Sequence, residues 1–218
     1  MKLGKMGVWV GLDGPIGFFE DENSAQRGLA TADRIAKFAR RVEELGYGSL
    51  WLPDGFGRDS FVASALVLAS TTTLVAATGI SSIYSRDPVA SNAAATALSE
   101  WSGGRFIMGL GVSHAVAVEG MRGHDYTKPI ATMRAYLKGI AQAPYNAAPP
   151  AVKTPILLAA LRGKMLELSR DEADGAHPFN VTPQHTAQAR AILGCGKLLC
   201  VEQKLILETN PATAPAFG

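Results

Sequence analysis

The chain is short of the residues that usually announce a function. It has only two cysteines in 218 residues, Cys195 and Cys200. Their spacing fits neither a C-x-x-C site nor a disulfide framework, so a reducing cytoplasm is the expected setting. Charge is sparse and nearly balanced, at 18% Asp, Glu, Lys and Arg with a net +2. No Lys/Arg run offers a footprint for nucleic acid or a membrane surface. No apolar stretch reaches the length of a membrane span. The N-terminal "MKLGKMGVWVGLDGP" is too interrupted by Asp13, Gly14 and Pro15 for a signal peptide, and reads as a first strand. H-E-x-x-H, G-x-S-x-G and the P-loop pattern are all missing, which argues against a zinc site, a serine-hydrolase elbow and a Walker nucleotide site. A soluble protein with no metal, nucleic-acid or membrane partner is expected.

What is present is an alternation of apolar runs and amphipathic segments. Strands are expected over Gly7–Leu12, Ser49–Leu52, Leu74–Ser82, Phe106–Val112, Pro155–Leu161, Gly175–Val181 and Leu198–Glu208. Helical spacing begins at Leu29 and runs to Leu45, with Gly46 where a C-cap belongs. Further helices are expected over Phe61–Ser70, Pro88–Trp101, around Ile130–Ile140, over Gly163–Glu172, and from Thr182 onward. Seven mostly continuous apolar strands with helices between them imply a parallel sheet covered by helices, in one domain spanning 1–218. Pattern alone leaves a doubly wound sheet and a (β/α)8 barrel both open.

The stretch "SGGRFIMGLGVSH", Ser102 to His114, looks at first like a nucleotide loop. A dinucleotide fingerprint needs G-x-G-x-x-G and a helix at once. Here His114 stands at the third glycine position and "AVAVEGMRGHDYTKP" delays the helix. Gly109 and Gly111 therefore serve either close packing or close approach of a ligand. In parallel α/β folds ligands sit at the carboxyl ends of strands. Polar and glycine residues concentrate at those ends here: Asp13, Asp54-Gly55, Gly79 to Ser82, Ser113-His114, Ala160 to Lys164, His177 and Glu208. Arg86 is expected to pair with Asp87 or a loop carbonyl, His124 with Asp125 or Glu119, and the methionines to fill the core.

Four segments, "ELGYGSLWLPDGFGRD", "LVAATGISSIYSRDP", "LSEWSGGRFIMGLGVSH" and "PILLAALRGKMLELSRDEADGAHPF", together resemble the bacterial luciferase-like monooxygenase superfamily, most nearly its deazaflavin-dependent branch. The resemblance implies a (β/α)8 TIM-type barrel, here ended after about seven strands, that binds reduced coenzyme F420 or, alternatively, FMN. It implies a non-prolyl cis peptide at Gly79-Ile80 behind the cofactor ring. It places the cofactor phosphate at Ala160, Leu161, Arg162, Gly163, Lys164 and Met165, where free helix amides and two cations also suit an anion on physical grounds. Ser81, Ser113 and His177 join the expected cofactor contacts, and Asp54 and His114 are the expected catalytic side chains. Many deazaflavin-dependent relatives carry a histidine after the strand-two acid, and some carry an acid at the end of strand four. Gly55 and Val112 stand there instead.

The resulting expectation is a flavin- or deazaflavin-dependent oxidoreductase passing a hydride between its cofactor and a small organic molecule. A barrel enzyme acting on a phosphorylated metabolite and a non-catalytic, weakly cofactor-binding barrel remnant are the alternatives. Unpaired edges on the first and last strands would favour a homodimer.

Overall fold

A computed structural model describes residues 3–12 and 30–205. Asp13, Leu29 and Glu208, named above, lie outside the described residues. The elements are β1 (Gly7–Trp9), α1 (Ala32–Glu44), β2 (Ser49–Leu52), α2 (Ser60–Ser70), β3 (Val75–Thr78), β4 (Ser81–Ser82), α3 (Pro88–Trp101), β5 (Phe106–Gly111), α4 (Pro129–Gln142), β6 (Ile156–Leu158), α5 (Gly163–Glu172), β7 (Gly175–Ala176), α6 (Pro183–Leu193) and β8 (Leu198–Leu199).

All pairings are parallel, and the order runs β1-β2-β3-β5-β6-β7-β8 with β4 beside β5. The order follows the sequence and never reverses, so the sheet has no topological switch point of the doubly wound kind. It is an incomplete barrel wrapped by helices. Among the described residues β1 and β8 each pair with one strand only. A cleft of about 660 Å³ lies along them, lined by Gly7, Trp9, Trp51, His177, Cys200 and Glu202 among others.

The inner strands β2, β3, β5 and β6 read as unbroken apolar runs because both their faces are buried. Leu50, Leu52, Ala76, Phe106, Met108, Leu110, Ile156 and Leu158 pack outward with the helices. Trp51, Val75, Ala77, Ile107 and Leu157 form the inner cluster, with Trp9, Leu198 and Cys200 against it. Helix starts follow side-chain caps: Thr31 for α1, Asp59 for α2, Asp87 for α3 and Thr182 for α6 each accept first-turn amides. Gly46 terminates α1 at φ +82°, a conformation glycine adopts without strain.

Three expectations need correction. The third strand is not continuous: it stops at Thr78 and resumes at Ser81 as β4, displaced onto β5. Among the described residues the last two strands are shorter than their apolar runs suggested: Pro178 has no N–H for the β6 side of β7, and toward β8 the pairing resumes only as a single bridge between Phe179 and Glu202. The connection after β5 is not plain loop, for Val116–Met121 winds a π-helical turn. Among the described residues no helix is long and apolar enough to cross a membrane.

Candidate functional site

Register sets the strand ends at one height. Leu110 faces Leu158, Leu158 faces Ala176, and Ala176 faces Leu199. Ser81 and Ser82 pair with Leu110 and Gly111. The residues that follow, Ser113, Ala160, His177 and Cys200, therefore share one rim with the break between β3 and β4.

At that break the Gly79–Ile80 peptide is cis, at the place the resemblance implied. The Gly79 N–H donates to Leu52 O at 2.8 Å, and the Asp54 N–H donates to Ile80 O at 2.9 Å. The Asp54 carboxylate gathers the surrounding loops. Oδ1 accepts from Ser60 Oγ (2.5 Å) and Ser60 N (3.2 Å), and Oδ2 from Ser81 Oγ (2.9 Å), Ser82 N (2.9 Å) and Ser85 Oγ (2.8 Å). Burial alone would raise its pKa, but these donors favour the charged form and hold it below the ordinary carboxylate range. Expected as a catalytic group, Asp54 has both oxygens engaged by the protein itself.

The glycines of β5 now have a packing reason. A Cβ on Gly109 would run into the Thr78 carbonyl, and one on Gly111 into the Ile80 side chain at 2.5 Å. Of the two readings the sequence left open, close packing against the break accounts for both. Ser113 adopts φ 56° and its carbonyl accepts from Tyr126 Oη at 3.0 Å, while His114 is exposed beside it.

Beyond β6 the chain turns into α5. Ala160 is buried, Leu161 is 53% exposed, and Arg162 caps the helix in an extended conformation with no side-chain bond to the first-turn amides. A Cβ added to Gly163 would meet nothing within 4 Å, and Arg162 and Lys164 project exposed on either side. Open amides with two cations form an anion cradle. Met165 turns inward instead: its side chain is buried and its amide donates to Arg162 O.

His177, at the end of β7, is 4% exposed and stacks on Trp51 with centroids 4.5 Å apart. Its Nδ1 lies 2.7 Å from Cys200 O, which requires the proton on Nδ1. Burial lowers its pKa, so the ring is neutral near pH 7, and Nε2 is a buried acceptor with no partner.

Sequence reasoning missed several participants. His185, in the first turn of α6, pairs Nε2 with Leu161 O at 2.8 Å and so ties down the cradle. Ser60 and Ser85 complete the Asp54 cluster; Ser85 lies in the third-strand segment of the resemblance but was not singled out, and Ser60 lies outside all four segments. Trp9 sends its indole N–H to Gly79 O at 2.7 Å. Its signal was legible, since a tryptophan within a short buried strand must find a partner for that N–H. Arg86 pairs with Asp59 (2.5 Å) rather than Asp87, whose carboxylate is occupied capping α3. His124 packs against the Tyr84 ring, and Asp125 accepts from Thr127 instead.

These features define the class: an incomplete parallel barrel whose carboxyl-end rim carries a break after its third strand and an anion cradle after its fifth sequence run. The luciferase-like monooxygenase pattern matches residues 16–193, and the chain belongs to that family. It is 31% identical over 126 residues to a Mycobacterium tuberculosis protein provisionally named a coenzyme F420-dependent oxidoreductase, covering 56% of this chain and 36% of that one. It is 29% identical over 159 residues to the 5,10-methylenetetrahydromethanopterin reductase of Methanolobus tindarius, covering 65% and 48%. The coenzyme F420-dependent tetrahydromethanopterin reductase of Methanopyrus kandleri shares the fold at TM-score 0.66 with 18% identity, over 86% of this chain and 59% of that one. The alignments thus span about half or less of the curated relatives.

Proposed function

We propose that this chain is the cofactor-binding part of an oxidoreductase that uses coenzyme F420, with FMN as the alternative. The observation that carries the reading is the rim itself: the break at Gly79–Ile80 leads into β4, the turn at Arg162–Lys164 follows β6, and β4 and β6 both pair with β5 at its carboxyl end. One feature suits the back of a flat ring system and the other suits its phosphate. One of the named relatives is called a coenzyme F420-dependent oxidoreductase and the other a 5,10-methylenetetrahydromethanopterin reductase, which supports the reading.

In this reading Gly79, Ile80 and Ser81 support the ring. The Gly163 and Lys164 amides, with the Arg162 and Lys164 side chains, neutralise the phosphate, and Ala160, Leu161 and Met165 shape the turn that presents them. Ser113 and His177 line the cofactor, the latter offering Nε2 to a hydroxyl or N–H. His114 is the exposed side chain placed to hold or move a proton. Asp54, its pKa held below the ordinary carboxylate range by its serine and backbone donors, keeps its neighbours in place as a carboxylate. The cofactor, when bound, supplies two-electron hydride chemistry with a small organic substrate. The chain orients it and excludes water. Two unpaired thiols, Cys195 and Cys200, with burial pushing the latter up to about 11, suit a reducing cytoplasm. The half-paired strands β1 and β8 and the cleft along them support self-association as a homodimer.

Fluorescence titration of the purified chain with coenzyme F420 and with FMN tests the reading. Saturable binding of one cofactor, weakened about tenfold by Lys164→Ala, is expected. Binding of neither would favour the non-catalytic remnant.

A further inference from the structure

The break between β3 and β4 is held from the inside of the barrel as well as from its rim. In a regular parallel strand the N–H and C=O groups enter the ladders on either side. At Gly79 the N–H does so, through Leu52 O, but the carbonyl leaves the ladder and accepts the Trp9 indole N–H at 2.7 Å. The next carbonyl, of Ile80, is taken by the Asp54 amide, and the next two residues are taken by the Asp54 carboxylate.

The Trp9 bond is not a default. Trp51, on the adjacent strand, meets the same need locally by donating to Ser49 Oγ at 2.9 Å, two residues away. The Trp9 donor instead spans 70 residues of sequence. It reaches its target because Gly79 lacks a side chain: a Cβ there would stand 3.0 Å from Trp9 Nε1 and 3.2 Å from Trp51 Cβ. Edge-on contact with Phe179, centroids 5.7 Å apart, braces the indole against the segment that follows His177.

We propose that Trp9 is a positioning residue, which fixes the Gly79 carbonyl from the barrel interior and so sets the surface that the break turns toward the cofactor ring. This rests on the cofactor reading above. Asp54 works on the same segment from the rim, so the four consecutive residues Gly79 to Ser82 are held from two sides.

Trp9→Phe keeps an aromatic ring in the interior and deletes the donor. Trp101→Phe, at an exposed position 57% accessible, is the control. Coenzyme F420 and FMN are titrated into each chain, reading the dissociation constant and the induced circular dichroism of the bound chromophore at saturation. Trp9→Phe is expected to weaken binding about tenfold and to alter the induced band, with Trp101→Phe matching the unmodified protein. A merely structural role would lower the melting temperature and leave the saturated band as it was, which overturns the proposal. If Trp9→Phe does not fold, Gly79→Ala replaces it. That variant keeps the donor and pushes a methyl against it, and an unaltered band there also overturns the proposal. Loss confined to the variants leaves the cofactor reading standing. Failure of the unmodified chain to bind either cofactor sinks the reading, and the role of Trp9 with it.

Discussion

The two ends of the sheet use similar parts to opposite effect. At the amino end, the Glu43 carboxylate accepts from the backbone amides of Thr72, Thr73 and Leu74 and from the Thr73 hydroxyl, at 2.6 to 2.9 Å for the shortest of each. Arg105 there donates to the carbonyls of Leu68, Leu74 and Ser102. These two clusters find their partners within the chain, while Ser99 Oγ, in the last turn of α3, is buried without one. At the carboxyl end Asp54 gathers serines in the same manner, yet the rim around it keeps an uncapped helix start, two exposed cations and the unpartnered His177 Nε2. Groups paired within the chain support the fold, whereas the unpaired groups of the rim suit the ligand proposed above.

That contrast can be broken first at the glycines. Gly109→Ala should destabilise the protein by about 2–3 kcal/mol in urea unfolding, because the new methyl meets the Thr78 backbone and nothing flexible can yield. Gly163→Ala, in open space, should change stability by less than about 0.5 kcal/mol. Equal costs at the two positions would remove the distinction between a packed rim and an open cradle.

Glu43 tests the other end. Backbone and hydroxyl donors outweigh burial and pull its pKa to about 2. A lowered carboxylate pKa stabilises above the ordinary value of 4.5 and loses that contribution as pH falls through about 2. Glu43→Gln should cost about 1–2 kcal/mol at pH 7, a figure discounted for solvent screening, and little at pH 2. A pH-independent cost would mean that charge is irrelevant to this clamp.

Acid should loosen the rim before the base. His177 is neutral in the fold and its pKa is lowered by burial, so its stabilising contribution is present above the ordinary 6.5 and falls away below it. Protection of the β7 amides against hydrogen exchange, after correction for the intrinsic pH dependence, is expected to fall as pH drops below 6.5, with the β3 start still protected. His177→Gln should abolish that pH step. Smallest of all, Asp33→Asn should leave the urea unfolding midpoint unchanged, since the Asp33–Lys37 pair (2.8 Å) has both side chains about two-thirds exposed.

Much of the fold was legible because local chemistry and long-range packing agree. Pro88 and Trp101 bound α3 as expected, and Ser49–Leu52 is β2 to the residue. These segments carry strong local signals: an N-terminal proline, an Asp cap, and a run of apolar residues before Pro53. The break at Gly79 was not legible from periodicity, because Leu74–Ser82 is apolar enough to pass as one strand. The Asp54 cluster was illegible for another reason. Its serines come from α2, β4 and the following turn, and no spacing rule joins positions 54, 60, 81 and 85.

By itself, then, the sequence determined the alternation of strands and helices, the burial of both sheet faces, and which residues stand at strand ends, since these depend on periodicity and on chain stiffness at Gly and Pro. Only the tertiary structure decided which of those ends meet, that Gly109 and Gly111 serve packing, and that an indole from β1 grips a carbonyl 70 residues away. Such contacts depend on the register of separate strands, and register is set by the whole sheet rather than by any one stretch of it.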